Sequence, residues 1–267
     1  MAEITGPFRF KGSLGNIRVY WNSAAQKWVV ATKGGANRDL ILNNPAFARV
    51  RENMSEFSAC GKWSSLVRKG LLAIDHLNWG YYMAEIVKLS KIIQKMDRMG
   101  VKGHRNIEPS KHKSLLTDLV FNQLHPFKKV LLRHPEVIAD AQRKNITLNL
   151  SQFYPWYELG WTATYSCYRF TLAVAQLSDY TFVEEDGGYG PAHFGLETKK
   201  ATVYSDWLMR NTEATDVSLT ASFADDAIPP DDATVMVAVG IEFGTMLSGN
   251  SISSGPRDGT MALIACL

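Results

Sequence analysis

The chain has 267 residues, of which 46% are apolar and 21% charged, a composition that is typical of a globular protein and excludes intrinsic disorder. No uninterrupted apolar run approaches the roughly 20 residues of a membrane-spanning helix, so no membrane span is expected. The net charge of +3 hides an asymmetry, because residues 1–145 carry 24 of the 29 Lys and Arg residues and 11 of the 26 acidic ones, whereas residues 146–267 have a net charge of −10.

The first predicted element is a small β unit. The apolar segments Ile17–Trp21 and Trp28–Val30 flank a polar loop at residues 22–26, which predicts a β-hairpin. Before it, Phe8 and Phe10 alternate with polar neighbours.

A helix is predicted to begin at Asn43-Asn44-Pro45, because Asn is a favourable N-cap and Pro is tolerated at the first helical position. The apolar residues that follow at helical spacing predict one buried stripe of Phe47, Val50, Met54 and Phe57.

The clearest helical pattern follows. Its apolar residues, spaced by three and four, predict a buried stripe of Tyr82, Ile86, Leu89, Ile93 and Met96. Four cations are also spaced by three and four, namely Lys88, Lys91, Lys95 and Arg98. At about 100° per residue their centre lies roughly 160° from the apolar stripe, so we expect all four on the outward face. This candidate interface could be a solvated face, could dock on an acidic surface, or could neutralise phosphates of a nucleic acid.

After residue 145 the apolar spacing changes to two, which is typical of strands. Alternation runs from Leu159 to Cys167 and then changes phase, which predicts a β-bulge near Tyr168. A second strong strand is predicted at Val235–Phe243, and shorter ones near 180–183, 200–204, 216–222 and 261–265. Repeated strands separated by turns favour an antiparallel sandwich, so the predicted fold class is α+β.

Three segments together carry a resemblance: Gly12-Ser13-Leu14-Gly15-Asn16-Ile17, Asn44-Pro45 with Arg49-Val50-Arg51-Glu52, and Val235–Phe243. The chain resembles a group of uncharacterised proteins of Bacteroidota. The resemblance implies an N-terminal β-hairpin, a helical region and a C-terminal immunoglobulin-like β-sandwich. It supplies no catalytic residue.

Charge and pattern change at the same place, so the sequence predicts two domains. The first is a basic hairpin-plus-helical domain of residues 1–145. The second is an acidic β-sandwich domain of residues 146–267, which we expect to fold by itself. Domains of opposite charge can dock on each other or join copies of the chain head to tail.

No motif predicts a catalytic, metal or cofactor site. Three widely separated cysteines fit neither a disulfide framework nor a metal site, and the histidine spacings are not those of metal ligands. The acidic clusters lack EF-hand spacing, and there is no phosphate-binding loop or nucleophile elbow. The sequence therefore predicts a protein that is not an enzyme and needs no cofactor.

The leading hypothesis is a structural or assembly subunit that self-associates into a homo-oligomer or polymer through its oppositely charged halves. One alternative is an anion-binding module, with nucleic acid as the partner. Another is a hydrolase or a carbohydrate-binding domain on the sandwich, in which Trp156, Tyr157 and Trp161 could stack on sugars. Because no basic and apolar leader follows Met1, we expect synthesis in the cytoplasm without a signal peptide, with the final location open.

Overall fold

A computed structural model describes the chain over residues 2–3, 11–23, 25–80, 82–160, 165–210, 213–224, 227–247, 251–255 and 257–267. Phe8, Phe10 and Trp161 lie outside these residues. The chain divides into two compact units, residues 1–51 and residues 52–267. This division differs from the boundary near residue 145 that charge and pattern predict.

The first unit contains an antiparallel sheet with the strand order β1-β4-β3-β2. Its strands are β1 Ala2–Glu3, β2 Gly12–Leu14, β3 Ile17–Asn22 and β4 Lys27–Thr32. The predicted hairpin is confirmed, because β3 pairs with β4 and Trp21 stands opposite Trp28. The two indole rings meet edge to face at 5.8 Å, a favourable aromatic geometry.

The helical region has two long helices. Its helices are α1 Arg38–Asn43, α2 Ala48–Gly70, α3 Tyr82–Met96, and the single turns α4 Lys113–Leu116, α5 Phe127–Val130 and α6 Pro155–Glu158. Short 3-10 turns cover Pro45–Phe47, Asp75–Leu77, Pro109–Lys111 and Leu196–Thr198. The predicted capping role of Asn44 is confirmed, because its side chain accepts a hydrogen bond of 2.9 Å from the Ala46 N–H.

Antiparallel sheets form the C-terminal part. The strands are β5 Glu136–Ala139, β6 Asn145–Phe153, β7 Cys167–Leu177, β8 Tyr180–Val183, β9 Gly188–Pro191, β10 Lys200–Tyr204, β11 Leu208–Met209, β12 Thr215–Ser222, β13 Thr234–Met246, β14 Ile252–Ser253 and β15 Gly259–Cys266. One sheet is built on β10-β7-β13, with β11 paired to β7 and both β14 and β15 paired to β13; another has the order β12-β6-β5; β8 and β9 form a hairpin. These elements confirm the predicted α+β class.

The central strands β7 and β13 are buried on both faces. Large side chains of β7, such as Phe170 and Leu172, share a core with β6 and β12, while Ala173 and Ala175 face the helices. The β-bulge predicted near Tyr168 is wrong, because β7 pairs with β13 in unbroken register. The apparent change of phase arises because a strand covered on both faces has no single apolar side.

The helices and the central sheet share one hydrophobic core. Trp63 and Val67 of α2 and Ile86 of α3 belong to the same buried cluster as Met236 of β13 and Leu263 of β15. The predicted boundary between residues 145 and 146 therefore does not separate two cores.

Candidate interaction surface

Helix α3 has a buried side and an outward side, as its sequence predicts. Tyr82, Ile86, Leu89 and Ile93 are buried. Met96, predicted to be buried with them, is instead 42% exposed. The stripe of apolar residues attaches the helix to the core and leaves the opposite side to solvent.

The outward side carries cations and apolar residues together. Lys88, Lys95 and Arg98 are exposed, as predicted. Ile92 and Met96 are exposed beside them on α3, and Met99, which like Arg98 lies in the turn after the helix, is 95% exposed. We call these six residues the α3 face. The sequence signal for its apolar part is the spacing of four and three from Ile92 through Met96 to Met99, which places these residues on the same side as the cations.

Lys91, the fourth predicted cation, is not on the α3 face. Its ammonium nitrogen lies 2.5 Å from Oε2 of Glu56 on α2 and 2.8 Å from Oε1 of Gln94. The expectation that four cations point outward is therefore wrong for Lys91. Its helix position borders α2, and a buried carboxylate there attracts the ammonium group.

Glu56 is a buried carboxylate with a complete set of donors. Its side chain is 1% exposed. Arg105 donates to both oxygens, at 2.7 and 2.6 Å, and the Gly103 N–H donates at 2.9 Å. Burial would raise the pKa of Glu56, but the hydrogen bonds from Arg105, Lys91 and Gly103 outweigh it and hold the pKa at about 2. The ionised group fastens the segment after α3 to both long helices.

Asp97 shapes the turn that ends α3. One of its oxygens accepts hydrogen bonds of 2.9 Å from the N–H groups of Met99 and Gly100, and the other accepts one of 2.7 Å from Asn106. Burial would raise the pKa of Asp97, but these backbone donors lower it overall. Such side-chain to backbone bonds stabilise tight turns, and here they hold Arg98 and Met99 outside the core.

An exposed acidic turn joins β8 and β9. Glu184, Glu185 and Asp186 are exposed, and no cation of the described part of the chain pairs with them. We call these three residues the acidic turn. Gly187 completes it at a φ of 59°, where a residue without a side chain is favoured.

The hairpin that carries the acidic turn is fixed to the segment after α3. The rings of Phe182 and His104 stack with their centroids 3.7 Å apart. The Phe182 N–H donates to the Asn106 side chain at 2.9 Å, and the Tyr189 hydroxyl donates to the Gly103 carbonyl at 3.0 Å. The α3 face and the acidic turn are therefore both attached to the same segment of the second unit, the one that follows α3.

Part of the charge asymmetry is compensated within the chain. Ion pairs between the basic and acidic halves join Arg133 to Glu158 at 2.9 Å, His76 to Glu242 at 3.5 Å and Lys69 to Glu197 at 3.9 Å. Lys95 and Arg98 have no acidic partner among the described residues. The α3 face and the acidic turn take no part in these ion pairs between the two halves.

The apolar stripe predicted for the helix after Asn44-Pro45 is not buried, and its first residue, Phe47, lies half-buried in the 3-10 turn before α2. Val50, Met54 and Phe57 are exposed, Phe57 by 64%. The buried side of α2 instead contains Glu56, Ala59, Cys60, Trp63, Ser64, Val67 and Gly70. Small residues on that side allow close approach to the sheet, and this packing overrides the preference of the larger apolar residues for the core.

The remaining predicted site residues are dispersed. Trp156 and Tyr157 are exposed on α6, 56% and 67% respectively. Trp161, the third aromatic residue predicted for carbohydrate stacking, lies outside the described residues. Within the described ranges no cluster of three or more His, Cys, Asp or Glu side chains is placed to hold a metal ion. No helix in those ranges has the length and apolar character needed to cross a membrane.

Comparisons with models of known protein families, with curated proteins and with solved structures find no match to this chain.

Proposed function

We propose that this protein is a structural subunit that self-associates, with the α3 face of one copy against the acidic turn of another. The observation that carries the proposal is the set of exposed cations Lys88 and Lys95 on α3 and Arg98 in the turn after it, of which Lys95 and Arg98 have no acidic partner among the described residues. Lys88 has only a 3.5 Å contact with the exposed Glu85, a weak pair. Complementary patches of opposite charge favour and steer association.

The apolar members of the α3 face favour a protein partner over a nucleic acid. Ile92, Met96 and Met99 alternate with the cations at the surface. Methionine is enriched in the contact regions of protein interfaces, whereas nucleic-acid interfaces are more polar and much more positively charged. A second copy of the chain supplies a surface of opposite charge in its own acidic turn.

Sedimentation velocity at low salt and at about 0.5 M NaCl tests the proposal, since the Debye length at that salt falls well below 10 Å. We expect concentration-dependent oligomers that dissociate as salt rises. The variant Lys88→Gln/Lys95→Gln/Arg98→Gln should remain monomeric at low salt. A control with the same loss of charge, Lys62→Gln/Lys128→Gln/Lys129→Gln, should associate like the unmodified protein, because these exposed lysines lie outside the α3 face.

A monomer at every salt and protein concentration contradicts the proposal. If the unmodified chain is monomeric and instead retards labelled DNA, with the α3 triple variant losing that binding, the nucleic-acid alternative replaces self-association.

A further inference from the structure

A surface cavity shares no lining residue with the α3 face. It has a volume of about 520 Å³ and is lined by Asp75, His76, Asn78, Gly255, Arg257 and Asp258. The first three come from the 3-10 turn after α2 and the residue that follows it, and the others from the loop that leads into β15. This size is that of a small-molecule site.

A buried carboxylate lies next to one residue of the cavity wall, His76. Glu242 on β13 is 4% exposed, and its Oε2 accepts two hydrogen bonds from Arg169, at 3.0 and 2.7 Å. Its Oε1 accepts none among the described residues but lies 3.5 Å from Nε2 of His76. Burial would raise the pKa of Glu242, but His76 and Arg169 outweigh it and lower the pKa.

Arg169 is itself held in place. Its guanidinium carbon lies 5.0 Å from the ring centre of Tyr204 and 4.9 Å from that of Trp207. A buried ion pair usually contributes little net stability compared with apolar packing. Here it aims one carboxylate oxygen at a histidine on the cavity wall.

The carboxylates that line the cavity are already engaged. Asp75 accepts hydrogen bonds from Arg68 at 3.0 Å and from the Tyr82 hydroxyl. Asp258 accepts one from the Gly255 N–H at 2.6 Å and another from the Tyr165 hydroxyl. Both carboxylates thus accept hydrogen bonds from within the chain, and the other ionisable side chains on the wall, those of Arg257 and His76, carry N–H donors.

Arg257 and His76 are those donors. The Arg257 guanidinium lies 4.4 Å from the ring centre of Trp79 and donates to no acceptor in the described part of the chain. A guanidinium stacked on an aromatic face keeps its edge N–H groups available, and their fork matches a carboxylate or phosphate group. His76 directs one nitrogen toward Glu242, which leaves the other ring nitrogen for a ligand.

We propose that this cavity binds a small organic anion through its carboxylate or phosphate group, with Arg257 as the main ligand-binding residue and His76 as the second. Glu242 is a positioning residue that holds the His76 ring. The inference is independent of self-association, because none of these residues belongs to the α3 face or the acidic turn.

NMR titration of the full chain tests this proposal. Sodium phosphate and sodium acetate are added separately at constant ionic strength, and the His76 ring signal, assigned by its loss in His76→Gln, is followed. We expect a saturable shift with at least one anion, and the anion that saturates identifies the group. The Arg257→Gln variant should bind at least tenfold more weakly, and Arg257→Lys should lie between it and the unmodified chain.

The control is Arg38→Gln, an exposed arginine on α1, which should bind like the unmodified chain. Circular dichroism of each variant checks the fold, and Arg257 is exposed, so its substitution should leave the structure intact. The absence of a saturable shift with either anion overturns the proposal. Equal affinity in Arg257→Gln and the unmodified chain overturns it as well.

Discussion

Lys91 of α3 and Glu56 of α2 form an ion pair with an N–O distance of 2.5 Å, although Lys91 stands in sequence register with cations that face solvent. The pair divides a stripe of four cations into one internal contact and three surface charges. Neighbouring lysines of α3 therefore have different roles, one in the stability of the fold and one at the surface. Single substitutions can distinguish these roles.

Replacing Lys91 by Gln should destabilise the fold, whereas Lys95→Gln should not. Lys91→Gln leaves the buried Glu56 with one cation fewer, for which we expect a loss of about 2 kcal/mol in the free energy of unfolding. Lys95 is exposed and unpaired among the described residues, so its substitution should change that value by less than about 0.5 kcal/mol. Urea unfolding followed by circular dichroism measures the free energy of unfolding of both variants. Equal losses of free energy in the two would contradict the pairing of Lys91 with Glu56.

Glu56 should make stability depend on acid pH. Its pKa of about 2 in the folded chain is below the ordinary value of 4.5, so its ion pairs stabilise the fold above pH 4.5 and lose this effect as pH falls toward 2. At pH 7, Glu56→Gln should lower the free energy of unfolding by about 3 kcal/mol. The difference in free energy of unfolding between this variant and the unmodified protein, measured by urea unfolding, should become smaller below pH 4.5. A difference that stays constant from pH 7 to pH 3 contradicts this explanation.

Two glycines of α2 should respond in opposite ways to alanine. A Cβ at Gly70 would lie 2.7 Å from Cε of Met236 and 2.9 Å from Cβ of Ala175, whereas a Cβ at Gly61 would meet nothing within 4 Å. The methionine tip can move, but Cβ of Ala175 belongs to the central strand. Gly70→Ala should therefore destabilise by about 1–3 kcal/mol. Gly61→Ala should stabilise by about 0.5–1 kcal/mol, because alanine restricts the unfolded chain. Thermal unfolding of both variants measures these changes in stability. If both variants are more stable than the unmodified protein, α2 does not pack closely on the sheet.

The shared core predicts that residues 146–267 do not fold alone. Without the helices, the side of the sheet that carries Ala175, Met236 and Leu263 would be exposed to water. The fragment 52–267 retains both layers and should give a dispersed proton NMR spectrum, whereas 146–267 should give a collapsed one or aggregate. A dispersed spectrum from 146–267 would support the boundary predicted from charge and pattern.

The sequence was most informative where one side of an element meets water. The β3–β4 hairpin and the buried side of α3 followed from periodicity, because a single apolar face gives a regular pattern. Periodicity failed for β7 and α2. Strand β7 is buried on both faces, and α2 places small residues on its buried side, so the pattern of large apolar residues indicated the wrong register or face.

The candidate sites depended on contacts that sequence spacing does not contain. Glu56 and Arg105 are 49 positions apart, and Glu242 and Arg169 meet only because β7 pairs with β13. A single charged residue within an apolar strand, as Glu242 is within β13, was the available signal of a buried charge. The partner of such a charge could be identified only once the strand pairing was known.

Charge-reversal complementation tests self-association most directly. One variant replaces Lys88, Lys95 and Arg98 by Glu, and the other replaces Glu184, Glu185 and Asp186 by Lys. Each variant repels itself and should sediment as a monomer at low salt, because like charges then face each other across the contact. Mixed in equal amounts, the two should form mixed oligomers that dissociate above about 0.5 M NaCl, since each contact again joins opposite charges. Two variants that remain monomeric when mixed, or that each associate alone like the unmodified chain, would contradict the account.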